Sequence, residues 1–487
     1  MRLKVALLVI ALSSLLCCSV NPQTADHLSA CWEKQCEPFQ SKALHLTYTE
    51  TLRQLYHSQE PWQTMAHTTS GSAWFTEVMF ENSDTSRSAR GAVSFAYSAF
   101  DSTSLLAPAR DNITLIPVTK SNWFDAMFES ARYSPVILLD YFHRHAAEVS
   151  KRIDSGLALY SLKINKTVVT LAIRLSDDLV ESVRTLQSDD LLGDAQGIYS
   201  YPSYRTVDGA SIPDSTETAK IDGKIKGGVR VLSAEIVDKA PTLIAKPANF
   251  QFAEEKIEKP QISVEKFSDR IHFIDILPAD SRSMIVEFPN FLLVVDAPLS
   301  SKNGELIIEE AKKIAPDKPI RYFAFGHHHP SYLGGFRPFV YRGATILTTA
   351  EDTPYVNFLA SAPRSLDPDS LYLHPAQLHI KEIGDSLTIS DGGYLMKIYL
   401  IGNKSIHTSD YLVFYFPKEK MLWEDDLAWV KKDGPVEKAI ERQAGLVNAI
   451  KDLGLHPKTV VQSWPLVQYG MKTIIPFSDL EASMNPK

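Results

Sequence analysis

The chain is 487 residues long, which at one to two hundred residues per domain calls for two to four domains. A composition of 44% hydrophobic and 22% charged residues is that of a globular protein and excludes collagenous, wholly disordered and polytopic membrane classes. Fifty Lys plus Arg against 58 Asp plus Glu leave a net charge of −8, so there is no basic excess to hold a nucleic-acid backbone.

Arg2 and Lys4 precede an apolar run from Val5 to Leu16, so residues 1–19 read as an export signal and place the protein in the periplasm or outside the cell. The run is about a dozen residues, short of the ~20 that a membrane-spanning helix needs. Cys17 and Cys18 are candidates for a lipid anchor, although Leu16 stands where a lipobox wants a small residue. The remaining cysteines, Cys31 and Cys36, are expected to form a small structural disulfide, which an exported location permits.

Residues 26–250 are predicted to form a β-rich α+β domain. Residues 91–100, 157–164 and 168–175 alternate polar and apolar at period two, with Asn165-Lys166 as the turn between the last two. Residues 197–207 and 210–213 read as a further strand pair about the turn Asp208-Gly209. Between these groups, 122–132 and 135–153 have helical patterns, the second with Ser134 as N-cap and Pro135 at its first position. Three N-x-S/T tripeptides, at Asn112, Asn165 and Asn403, match the glycosylation signal, a pattern frequent by chance.

Pro241, Pro247 and Pro260 interrupt the next stretch, and 251–266 reads as a linker. From 267 to 487 strands and helices alternate. Residues 284–287, 291–296 and 320–325 are predicted strands, and 305–314 a helix. A last helix is predicted over 436–453, with Val436, Ile440, Val447, Ile450 and Leu453 near one face and Gly454 ending it.

Directly after the predicted strand 320–325 comes Gly326-His327-His328-His329-Pro330-Ser331-Tyr332, and strand ends are where α/β sites lie. His327 and His329, one residue apart, can present two imidazoles to one metal, while His328 points away, to solvent or to a supporting role. Asp296, ending a buried strand, is a candidate framework residue or a partner to a ligating imidazole. His374, His379 and His456 carry no spacing signal.

The order and spacing of residues 283–287, 293–298, the histidine loop, 343–346, Ile406-His407-Thr408-Ser409-Asp410 and 415–427 resemble the metallo-β-lactamase superfamily over about 267–480. The resemblance implies an αββα sandwich of the α/β class with metals at one edge. Its H-x-H-x-D-H loop falls on His327, His329, Ser331 and Tyr332, keeping the first two histidines and losing the Asp and the final His. A further ligand histidine matches His407, and the bridging aspartate matches Asp426. The last histidine meets Trp464, which is expected to fill the emptied pocket. The residues kept are those of one metal, so the resemblance implies a single zinc on His327, His329 and His407, with Asp426 or water in the fourth position.

This implies a metal-dependent hydrolase of a small ester, thioester or lactone-like substrate, with Tyr332 or Ser331 donating to the developing oxyanion. The alternative is a pseudoenzyme whose degenerate site serves binding or scaffolding. Residues 192–213 also resemble the curved-sheet domains of periplasmic lipoprotein carriers, which implies an open half-barrel for a lipid or other apolar ligand.

Overall fold

The protein is described here by a computed structural model covering residues 26–55, 59–76, 79–87, 93–100, 104–108, 113–117, 120–164, 166–240 and 261–486. The export signal with Cys17 and Cys18, Gly91, Asn112, Asn165 and positions 251–260 of the predicted linker lie outside the described residues.

The N-terminal part is built on one antiparallel sheet, thirteen-stranded among the described residues, whose middle pair is Ala43–Leu55 with Ile225–Val237. One wing runs outward through Thr64–Phe75, Phe80–Arg87 and Val93–Phe100. The other runs through Ser215–Lys220, Gly193–Ser200, Val180–Asp189, Thr167–Arg174 and Leu157–Ile164 to Ser150–Asp154. Helices His27–Gln35, Lys120–Ser130 and Val136–Arg144 bury Leu28, Phe128, Val136 and Leu139 against strand residues such as Leu46, Phe75, Leu171 and Tyr199. The hairpin Tyr204–Val207 with Ala210–Pro213 turns through Asp208 and Gly209, both at positive φ (47° and 88°), the two-residue geometry that matches strand twist.

Three expectations for this part are corrected. The predicted helix 135–153 ends at Arg144, and Ser150–Asp154 instead pairs antiparallel with Leu157–Ile164, so cross-strand pairing overrides a helical pattern. Pro135 is itself the N-cap of that helix, and Ser134 makes no cap hydrogen bond to it. Cys31 and Cys36 are free and buried. Cys31 lies within helix His27–Gln35 and Cys36 caps its end, so at 100° per residue the two side chains point about 140° apart. Cys31 Sγ instead accepts from Gln35 Nε2 at 3.2 Å, and Cys36 Sγ lies 3.5 Å from the carbonyl of Val136.

The C-terminal part is an αββα sandwich. Its first sheet runs in the order Ile262–Lys266, Ile271–Ile276, Ser281–Glu287, Leu292–Val295, Ile320–Ala324, Thr345–Thr349 and His379–Ile383, antiparallel at the start and parallel from Leu292–Val295 onward. The second comprises Ser386–Asp391, Tyr394–Leu400, Leu412–Phe416, Met421–Glu424, Thr459–Gln462 and Ile474–Pro476. Phe273, Met284, Leu293 and Val295 from one sheet meet Met396, Ile398, Phe414 and Trp423 from the other in a shared core. Helices Ser301–Ile314, Arg337–Tyr341 and Thr353–Ser361 cover the first sheet, and Glu441–Asp452 and Phe477–Met484 cover the second. Because strand Leu292–Val295 is buried throughout, it reads as a continuous apolar run rather than an alternating one.

Ile262–Lys266, predicted as linker, is the edge strand of the first sheet. Its outer residues are mostly exposed, and the charged, proline-flanked composition that suggested a linker is also how edge strands avoid pairing with other chains. The last long helix begins at Glu441, not at 436. Ile440 and Leu453 stay exposed, and Leu446, Val447, Ala449 and Ile450 form its buried face, with Gly454 following at φ 61°.

The two parts touch at several points. Arg364 donates from its guanidinium to the carbonyls of Asp189, Asp190 and Leu191, and the Asp194 carboxylate accepts from the backbone and hydroxyl of Ser365. Gly193, at φ 80°, sits where a Cβ would stand 2.3 Å from the Pro363 carbonyl oxygen, so a side chain there would separate the two parts. Nearer the histidine loop, Ser409 donates from N and Oγ to the Gln59 carbonyl, and Trp62 packs edge-on against Tyr355 and Phe358.

Candidate metal centre

Strand Ile320–Ala324 delivers the loop 325–329 to the edge of the sandwich, and Pro330 opens a short helix, Pro330–Leu333, behind it. The loop is pinned at Gly326, whose N–H donates to Asp296 Oδ1 at 3.2 Å. Asp296, held at φ 62°, also accepts from the Trp423 indole at 3.1 Å, which ties the two sheets together beneath the loop. A side chain at Gly326 would force the Asp425 carboxylate or the loop to move, because a Cβ would lie 2.2 Å from both Asp425 carboxylate oxygens.

Asp425 is placed there for His327. Its Oδ2 lies 2.7 Å from His327 Nδ1, the contact that fixes the ring and directs Nε2 inward. That Nε2 faces His329 Nδ1 at 2.9 Å. The His407 ring stands 5.0 Å from each of the other two rings, and its Nε2 lies 3.2 Å from Asp426 Oδ2. One nitrogen from each of His327, His329 and His407 falls within a single 4.8 Å group. His327 and His329 are buried, and His407 is half-buried.

Tyr411 organises the carboxylates from behind. Its hydroxyl accepts the backbone N–H of Asp425 (2.9 Å) and Asp426 (3.0 Å) and stands 3.0 Å from Glu424 Oε2, while its ring stacks on His327 at 4.8 Å. Glu424 in turn accepts from the N–H groups of Leu427 and Ala428. Burial, together with the charges of Asp296, Asp426 and Glu424, pushes the Asp425 carboxyl well above the usual carboxylate range. Burial likewise lifts Glu424 to about 8 and Asp296 to about 7. Asp426 goes the other way: burial opposes its charge, but His407, Arg442 and His329 hold it ionised. Arg442 Nη1 reaches Asp426 Oδ2 at 3.5 Å.

The four residues expected to hold a metal, His327, His329, His407 and Asp426, therefore converge. Their chemistry fits one: three imidazoles and an ionised carboxylate suit a borderline divalent cation, and the Asp425 bond to His327 is the support that ligating histidines commonly have. Of the two expected donors, Tyr332 is buried with its ring 4.4 Å from His327, and Ser331 is half-exposed on the same helical turn. Trp464 donates its backbone N–H to the Asp425 carbonyl, and its ring packs against Trp429 and Tyr469 at 5.8 Å from each. His374, His379 and His456 are exposed.

His328 stands outside the three-histidine group but does not face solvent. It is 4% exposed, with Asp410 Oδ2 accepting from its backbone N–H at 2.7 Å and lying 3.0 Å from its Nδ1. Sequence reasoning passed over Asp425, Tyr411 and Asp410. The signals open to it were the run Glu424-Asp425-Asp426 at a strand end and the Asp three residues after His407.

No family model matches the sequence, and no curated protein matches it. Among solved structures the chain is similar to a metallo-beta-lactamase from Pontibacter korlensis, at 17% identity and a TM-score of 0.33, over 46% of this chain and 97% of that one. It is also similar to the metallo-beta-lactamase FIM-1 from Pseudomonas aeruginosa in its mono-zinc form (14%, TM-score 0.33, 46% and 93%). A flavoprotein from Thermotoga maritima is similar at 14% identity and a TM-score of 0.33, over 46% and 61% of the respective chains.

Proposed function

We propose that the protein is a metal-dependent hydrolase that uses one zinc ion at His327, His329 and His407, acting outside the cytoplasm on a small ester, thioester or lactone-like substrate. The observation that carries this reading is the convergence of three imidazole nitrogens within 4.8 Å, one of them oriented by a buried carboxylate. Zinc in such a site polarises a carbonyl and lowers the pKa of a water toward neutrality.

The chain's own groups would do the rest. Asp425 fixes the His327 ring, and Asp426, ionised beside His407 and Arg442, is available to orient a water or take its proton. Tyr332 keeps its phenolic proton, because burial and then the charges of Asp426 and Asp425 raise its pKa well above 10, so it is a donor for negative charge growing on a substrate oxygen. Ser331 offers a second hydroxyl on the exposed side of the same turn.

The test pairs elemental analysis with hydrolysis of an ester, a thioester and a lactone. His327→Ala and His407→Ala are each expected to remove one equivalent of zinc per chain and to bring hydrolysis to background. Unchanged metal content in both variants would overturn the reading. A specific observation favours a second one: the residues standing where the resemblance puts ligands are Tyr332, whose ring lies 4.4 Å from His327, and Trp464, neither of which carries an imidazole or a carboxylate. Zinc bound without turnover of any of the three substrate types would establish that second reading, a binding protein.

A further inference from the structure

Behind the three-histidine cluster, His328 meets Asp410 and Asp352 in a pocket of their own. All three are withdrawn from solvent, at 4%, 0% and 1% exposure. Each carboxylate has one oxygen engaged. Asp410 Oδ2 faces the backbone N–H and Nδ1 of His328, and Asp352 Oδ2 accepts from the Thr349 hydroxyl at 3.0 Å, with Thr348 Oγ1 3.5 Å away. The other oxygen, Oδ1 in both residues, is buried and takes no hydrogen bond, although the two carboxyls lie within hydrogen-bonding reach of each other. Among the described residues no lysine or arginine pairs with either one, and His328 is the only basic partner.

Two carboxylates cannot be buried face to face without something positive between them. We propose that this something is a divalent metal ion, held by His328, Asp352 and Asp410 in a site separate from the three-histidine cluster. One ligand atom from each residue already falls within a 4.8 Å group. His328 Nδ1 and Asp410 Oδ2, 3.0 Å apart, are near the ~3.3 Å separating two ligands of a tetrahedral zinc at about 2.0–2.1 Å from the ion. The buried Thr408 hydroxyl beside Asp410 supplies a further oxygen. Such a mixed nitrogen and oxygen set suits zinc or manganese.

The site is closed, so its role is structural. It ties together three segments that shape the cleft: the loop bearing His327 and His329, the start of helix Thr353–Ser361, and the stretch from His407 into strand Leu412–Phe416. Losing this ion should loosen both sides of the three-histidine cluster at once. Because the ligands differ, its presence does not depend on the first site.

The experiment is zinc stoichiometry on the purified full chain after chelation and reloading. Wild type is expected to hold two equivalents, His327→Ala/His407→Ala one, and Asp352→Asn one. The double-histidine variant keeps the second pocket intact, so its stoichiometry decides the matter even if Asp352→Asn fails to fold. One equivalent in the double variant supports the proposal, and none overturns it. A folded Asp352→Asn that retains both equivalents also overturns it. If wild type holds one equivalent that the double variant loses, the three-histidine reading stands and the two aspartates share a proton instead.

Discussion

Asp369 and Asp425 are both carboxylates withdrawn from solvent in the C-terminal sandwich, but among the described residues arginine pairs with Asp369, whereas Asp425 meets only a histidine. Arg337, itself 1% exposed, grips Asp369 through Nε at 2.6 Å and Nη2 at 3.0 Å and donates from Nη1 to the carbonyls of Leu359 and Ala360. Burial opposes the Asp369 charge, yet Arg337, the Tyr372 N–H and Ser301 hold the carboxyl below its ordinary range. Around the cleft, Asp296, Glu424, Asp425 and Asp352 are buried with other carboxylates and histidines for company, and all are pushed up. A structural carboxylate thus brings its counter-ion in the sequence, whereas the cleft, apart from Asp426 with its Arg442, concentrates negative groups whose neutralisation must come from histidine, protons or bound metal.

The largest effect that would break this contrast is expected at the arginine. Arg337→Ala leaves Asp369 buried with much of its compensation gone, a loss of about 3–5 kcal/mol read from urea or thermal unfolding. Replacing both partners, Arg337→Met with Asp369→Leu, should restore much of it. A double variant no more stable than the single would mean that the pair is not the source of the loss.

Gly326→Ala is next. Its methyl would occupy the Asp425 carboxylate, so the loop or the carboxylate must move, at about 1–3 kcal/mol for overpacking. Zinc at the three-histidine site should fall with it, since His327 loses its anchor. Normal zinc content in a destabilised variant would separate the loop's packing from its metal role. Asp425→Asn is milder: the amide can still meet His327 Nδ1 as an acceptor but without charge. Zinc affinity is expected to drop about 10–100-fold. Stability of the metal-free protein should hold or rise, because one member of the carboxylate crowd is gone, opposite in sign to what Asp369→Asn would do.

How far the sequence foretold these sites follows from the range of the interactions. The α/β rhythm after 267 is legible because Leu292–Val295 and the Met284–Val286 stretch of Ser281–Glu287 are continuous apolar runs, and His327, His329 and His407 are legible because ligand spacing is local or set by a family pattern. Asp425 is not, since its partner lies 98 residues away and its neighbour Asp426 matches the pattern instead. The burial of His328 is not legible, because nothing near it in sequence predicts Asp410, 82 residues on. In the N-terminal part, strands Ala43–Leu55 and Thr64–Phe75 escaped notice because threonine, serine and charged residues fill their open faces, and only pairing within the wide sheet makes them strands.

The smallest effect is the one that tests the sign of the contrast directly. Asp369 has a folded pKa below its unfolded value, so its contribution to stability is fully present above the unfolded carboxylate pKa of about 3.9 and drains away as pH falls through the lower, folded value. Asp369→Asn has no charge to lose. Its stability deficit against wild type, measured in chelator so that metal-binding carboxylates do not intervene, should therefore be constant near neutrality and shrink below about pH 4. A deficit that stays the same down to acid pH would show that Arg337 gains little from the carboxylate's charge and that packing alone holds the pair. In that case the arginine would be no counter-ion in any energetic sense, and the contrast with the cleft would rest on the cleft alone.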